Sequence, residues 1–150
     1  MRIVHMSALF LTGALLLAAF PGRSHEGATG ILKERMDAME NMAAAIKEIR
    51  WRIETNRDLA GIGPQANRIG AVAQRMPQLF PQGSNGRPSE ALSAIWTQWS
   101  EFQAKAARLE QESQRLTQAA GGGDPKAIAA QYRTMGQTCI ACHEVFRAKR

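Results

Sequence analysis

From Gly30 onward, apolar residues recur in alternating steps of three and four, the spacing that lines one face of an α-helix. Four such stretches can be read, and none alternates in steps of two as a half-buried strand would. The first runs from about Gly30 to Asp58, with a seam of Leu32, Arg35, Met39, Met42, Ile46, Ile49 and Ile53. Arg35 is the one charged member of that seam. Gly61-Ile62-Gly63-Pro64 interrupts the pattern. A second stretch, about Pro64 to Met76, turns Ala66, Ile69, Val72, Ala73 and Met76 inward, and Pro77 ends it.

The segment Gln78 to Pro88 (QLFPQGSNGRP) has too much Gly, Asn and Pro for regular structure. Ser89 is then expected to cap a third helix, about Glu90 to Ala120, with a seam of Leu92, Ile95, Trp99, Phe102, Ala106, Leu109, Ser113 and Leu116. Gly121-Gly122-Gly123 stops it, and Asp124-Pro125 has the form of a helix start. The fourth helix is expected to run to about Ala148, with Ile128, Tyr132, Met135, Cys139, Cys142 and Phe146 on one stripe. Four amphipathic helices joined by short breaks predict an all-α fold, an antiparallel up-down-up-down four-helix bundle. Composition agrees, because Ala, Gln, Arg and Leu abound while Val, Thr and Tyr are sparse.

The first residues read as something other than fold. Met1-Arg2 is a short basic start, and Ala8 to Phe20 (ALFLTGALLLAAF) is a nearly continuous apolar run of 13 residues. Small and polar residues follow. This is the pattern of a secretory signal peptide, residues 1–24, with the cut placed after Ser24 because Gly22 and Ser24 offer small side chains there. The rival reading, an uncleaved anchor, needs ~20 apolar residues to span a bilayer. Export predicts a periplasmic mature domain, residues 25–150. Without Arg2 and Arg23 that domain keeps 17 basic residues against 13 acidic ones. The basic residues are spread along the helices and are not clustered with aromatics, so no nucleic-acid partner is expected.

Cys139-Ile140-Ala141-Cys142-His143 is a Cys-x-x-Cys-His motif. Each thiol can add to one haem vinyl group, and the adjacent imidazole ligates the iron through a ring nitrogen. Helical spacing brings Cys139, Cys142 and His143 to one face. A thiol-disulfide redox motif would follow a strand in a βαβ unit, which this chain lacks. A zinc site needs about four ligands, and the remaining histidines are only His5, in the signal segment, and His25, at the start of the mature chain. One covalent haem c is therefore expected, attached through Cys139 and Cys142.

The motif lies on the last helical stripe, in GQTCIACHEVFR, where most small c-type cytochromes carry it near the start. With LKERMDAM (Leu32 to Met39) on the first helix and LFPQGS before SEALSAIW, the mature chain resembles the class II cytochromes c, cytochrome c′ and its low-spin, Met-ligated relatives. Cytochrome c′ is among the standard examples of this bundle. The resemblance implies that the sixth iron site faces the first helix at Met39, with Arg35 one turn earlier. A thioether ligand raises the reduction potential and suits electron transfer. Plain core packing is the competing reading for Met39, since Met36, Met39 and Met42 form a Met-rich stretch and Met fills irregular cores. Met36 and Met42 are the other Met candidates for the iron.

Arg35 in an apolar seam needs a partner, and a haem propionate would supply one. The alternative is an Arg whose stem packs while its head reaches water. Arg147, four residues after His143, is a second propionate candidate, set against a solvated helix end that suits the dipole. Gly136, three before Cys139, leaves room for the haem edge. Trp96, Trp99, Phe102 and Phe146 are expected as core and pocket wall.

The expected function is a single-haem electron carrier with His143 and Met39 as axial ligands, exchanging electrons with redox partner proteins. The alternative is a cytochrome c′-like protein that binds nitric oxide or carbon monoxide on five-coordinate iron. No enzymatic activity is expected, because no polar distal group can be assigned over the iron. The resemblance also implies a homodimer through the first two helices, and no membrane contact for the mature form.

Overall fold

The computed structural model describes residues 28–149 of the chain. The expected signal segment, its cut after Ser24 and His25 lie outside the described residues. Four long helices form the bundle: α1 Gly30–Thr55, α2 Ile62–Arg75, α4 Trp99–Gly122 and α5 Pro125–Phe146, with a single-turn α3 at Ala94–Thr97. Among the described residues there is no strand, and no helix is long and apolar enough to cross a membrane.

Each boundary has a local cause. The α1 helix ends at Asn56, which is left-handed (φ 51°) and returns its N–H to the Ile53 carbonyl, while the Arg57 N–H reaches the Arg52 carbonyl. This closes the last turn with backbone donors. The expected end at Asp58 is three residues too late. Asp58 instead accepts from the Gly61 N–H at 3.3 Å and pairs with Arg52. A side chain at Gly61 would meet the Arg52 guanidinium and the Asp58 carboxylate, so the Arg52–Asp58 pair would have to shift to admit one. The Asp124 side chain accepts from the Lys126 N–H at 2.9 Å with Pro125 in the first turn, as expected for the start of α5. The α4 helix runs on through Gly121 and Gly122 and stops at Gly123, where φ is 71°.

The third helix departs from expectation. Ser89 caps no helix: its hydroxyl accepts from the Ala91 N–H at 3.2 Å and from Arg35 at 2.9 Å. Residues 90–92 pair antiparallel with residues 146–148, through Leu92 N–H to Phe146 O at 3.0 Å and Ala148 N–H to Glu90 O at 2.8 Å. Backbone groups committed to that pairing are not available for a helical turn, so helix starts only at Ala94 and breaks again at Gln98. The same pairing ends α5 at Phe146 before Ala148. Leu92, expected in the seam, is exposed.

The core has two clusters. One joins Ala45 and Ile49 of α1, Ile62, Ala66, Ile69 and Ala73 of α2, Leu109, Leu116 and Ala120 of α4, and Ile128 and Met135 of α5. The other joins Met76, Leu79, Phe80, Ile95, Phe102, Ala106 and Phe146. Close approach of α2 to α4 depends on Gly70, where a Cβ would stand 3.3 Å from that of Ser113. Packing runs α1 on α2, α2 on α4 and α4 on α5, but α5 meets α1 only sparsely.

Glu112 escapes the seam pattern. It is fully buried between α4 and α5, and its carboxylate meets Arg108 at 2.7 Å, Arg115 at 2.6 Å and the Gln131 amide at 2.7 Å. Both arginines are half in water, so losing the carboxylate mainly leaves a hole and removes one of two acceptors of the Gln131 amide, which keeps the Glu112 carbonyl at 3.2 Å. Glu112→Ala is expected to cost about 2 kcal/mol in urea unfolding, and Glu112→Gln, which keeps an acceptor for Gln131, clearly less. Equal losses for the two variants would refute this account.

Candidate haem site

The α5 helix carries Cys139, Cys142 and His143 on one face near its C-terminal end, as their spacing of three and four requires. Both cysteines are half-buried and free of any disulfide. Cys139 packs against the first core cluster, as Met42 and Ile46 do, and Cys142 against the second, as Met39 and Met42 do. Burial pushes both thiols up from their ordinary values, with a Thr138 hydrogen bond opposing this at Cys139 and the Lys105 charge opposing it at Cys142. The His143 imidazole is pushed down, by burial first and then by the charge of Arg147, against the pull of Glu90. This favours the neutral ring, whose free lone pair is the form a metal takes.

The face around these residues does not look like a finished protein surface. Ile140, between the two cysteines, is 59% exposed. A side chain added at Gly136, one turn before Cys139, would touch nothing. Across from α5, the α1 seam residues Met39, Met42 and Ile46 are only half-buried, although the pattern placed them in the core. The reason is the sparse contact between α1 and α5. Two thiols, an imidazole, a bare glycine and apolar side chains on both facing helices fit a large flat apolar group held covalently to α5. The donor set therefore fits haem c.

Met39 stands on this α1 seam, one turn after Arg35, in the cluster that also takes in Cys142, Trp96 and Trp99. Met36 is also half-buried. Phe102 and Phe146 are buried in the core, as expected, and meet edge to face at 5.4 Å, and the half-buried Trp99 stacks on Phe102 at 5.5 Å.

The two arginines find protein partners that the sequence did not reveal. Arg35 is buried, and its guanidinium donates to Leu79 O at 2.9 Å, Ser84 O at 2.8 Å, Ser89 Oγ at 2.9 Å and Ser84 Oγ at 2.5 Å, while lying 4.0 Å over the Phe80 ring. The alternative in which its head reaches water does not hold. Of the five N–H groups of a guanidinium, one on Nη2 is left for a propionate. Arg147 holds Glu90 with Nε at 2.7 Å and Nη2 at 2.6 Å, so it is not a merely solvated helix end. Its only sequence signal was the interval from His143. The partners Phe80, Ser84, Ser89 and Glu90 sit in a loop and its exit, where no periodicity points to them. Arg35 in the seam announced a need for acceptors without saying where they were.

Changing Cys139 and Cys142 together to alanine is expected to leave any bound haem extractable by acidified organic solvent, while the parent protein keeps its haem through the same treatment. Haem retained by the double variant would rule out thioether attachment at these positions.

Comparison with known proteins agrees with this site. The sequence profile of the cytochrome c′ family matches residues 30–147. The chain is 30% identical over 152 residues to cytochrome c′ of Rhodospirillum rubrum, covering 99% of this chain and 97% of that one. It is 32% identical over 131 residues to cytochrome c-554 of Cereibacter sphaeroides, covering 85% and 82%. Among solved structures, a mutant cytochrome c prime from Alcaligenes xylosoxidans in its nitric oxide complex superposes with a TM-score of 0.72 at 24% identity, covering 80% of this chain and 94% of that one. The helix that bears the paired cysteines, the bundle around it and these likenesses lead to one assignment: the chain belongs to the cytochrome c′ family, the class II cytochromes c, and carries one covalent haem c.

Proposed function

We propose that this protein is a periplasmic electron carrier whose haem iron is held by His143 on one side and Met39 on the other. The observation that carries the reading is the position of Met39. It is half-buried on the α1 seam, one turn after Arg35, and packs against the same apolar cluster as Cys142. The haem, when bound, supplies the one-electron ferric–ferrous couple. The chain's own residues do the rest. Cys139 and Cys142 fix the group to α5, and His143 donates a ring nitrogen. The wall of Phe102, Phe146 and Trp99 keeps water away. A thioether from Met39 favours the ferrous state and raises the potential. Arg35 through its remaining N–H and, less directly, Arg147 are the residues proposed for the propionates. The periplasmic location rests on the signal pattern of residues 1–24, and electron exchange with redox partner proteins follows from the carrier role.

A second reading has its own support. The family profile is that of cytochrome c′, and one relative by fold was solved as a nitric oxide complex. On this reading Met39 packs without bonding, and the iron takes nitric oxide or carbon monoxide on its open side. The two readings differ in one spectrum. The carrier is expected to be low-spin in both oxidation states and to bind carbon monoxide slowly or not at all. Met39→Ala is expected to turn it high-spin and open it to carbon monoxide, at a cost of about 1–3 kcal/mol in stability from the lost packing. A parent protein that is high-spin and five-coordinate in both states would sink Met39 as ligand and leave the gas-binding reading. The homodimer through α1 and α2 is part of the proposal, and light scattering on the purified holoprotein is expected to give twice the chain mass.

A further inference from the structure

We propose that the segment from Leu79 to Leu92 is a brace that sets the spacing of α1 and α5, and thereby decides whether Met39 reaches the haem iron. The inference rests on the Met39 ligation reading and adds to it the residues that hold the ligand in place.

Three observations converge. First, α1 and α5 make little direct contact, so a tie that reaches both helices from outside their interface can bias their separation. Second, the brace is anchored to α1 at Arg35, one helical turn before Met39. That anchor is a buried planar fork gripping Leu79, Ser84 and Ser89 and stacked on Phe80. A guanidinium used at several N–H groups at once fixes direction as well as distance, which a flexible ammonium would not. Third, the brace is anchored to α5 at its other end, one turn after His143. Glu90 holds Arg147, and residues 90–92 hydrogen-bond with residues 146–148. Between the anchors, Trp96 donates its indole N–H to Phe80 O and Pro81 O, both at 3.0 Å, and Phe80 packs edge-on against Phe102 at 4.9 Å. The segment is thus pinned along its length to the bundle.

The two residues proposed as iron ligands therefore sit one turn from the two ends of a single brace. A thioether is a weak donor, so its bond to iron is the one a small change of spacing would break first. Toward the iron, Arg35 and the Glu90–Arg147 pair act as positioning residues and not as ligands.

The test uses the full-length holoprotein with two readouts, the spin state from the optical spectrum and hydrogen–deuterium exchange over residues 30–42. Arg35→Gln and Glu90→Gln are each expected to raise the ratio of high-spin to low-spin iron about tenfold and to speed exchange in that part of α1. Glu90→Arg combined with Arg147→Glu, which rebuilds the tie with its charges reversed, is expected to restore the low-spin spectrum. Asp124→Ala removes a cap at the far end of α5 and serves as the control. It is expected to lower the melting temperature without moving either readout. Low-spin iron and unchanged exchange in both anchor variants would overturn the brace. So would a spin-state change in the control as large as theirs. If the parent protein is high-spin yet the anchor variants still speed exchange in α1, the ligation reading fails while the brace stands.

Discussion

A permanent charge in an apolar seam must be answered, and the answer to Arg35 shapes one whole end of this molecule. Its guanidinium is buried and cannot shed its proton, so stranding it would cost far more than the helix seam could return. The chain between α2 and α4 supplies two carbonyls and two hydroxyls to it, with a phenyl ring against its face. To do so, residues 79–89 fold back over the start of α1 and cannot be helical. The next three residues spend their backbone groups on the end of α5. The late start of the third helix, the exposure of Leu92 and the early end of α5 all follow from that route.

The second organising feature is an interface that is left slack. Three of the four sides of the bundle are packed by ordinary side-chain contact, and the fourth, α1 against α5, is sparse. Met39, Met42 and Ile46 on one helix, and Cys139 and Cys142 on the other, are all only half-buried. A bundle built only for stability would close this side. One built around a covalent haem leaves the apolar seam incomplete, because the group itself supplies the missing apolar surface. The two core clusters lie on either side of this region and make the scaffold rigid enough to hold it.

Much of the site was legible in the sequence because its chemistry is local. Cys139, Cys142 and His143 lie within five consecutive residues, and helical spacing alone puts them on one face. Met39 was singled out by the resemblance to the class II cytochromes c, and spacing adds only that Arg35, four residues before it, shares its seam. What could not be read were contacts between residues far apart in the chain. Arg35 reaches Ser84 and Ser89, and Arg147 reaches Glu90. Glu112, a carboxylate beside a good seam, gave no sign that it is buried. Its burial depends on Gln131 arriving from the neighbouring helix.

The sequence by itself determined the class of fold and the cofactor. Helical periodicity is written residue by residue, and the haem motif needs only its own five positions. Tertiary structure decided what the seam pattern left ambiguous: which seam residues are sealed in the core and which face a slack interface, and which partner satisfies each buried charge. The physical reason is that amphipathicity states only that a face must be covered. It does not state by what, and here part of the covering of α1 and α5 is left for a group that is not protein.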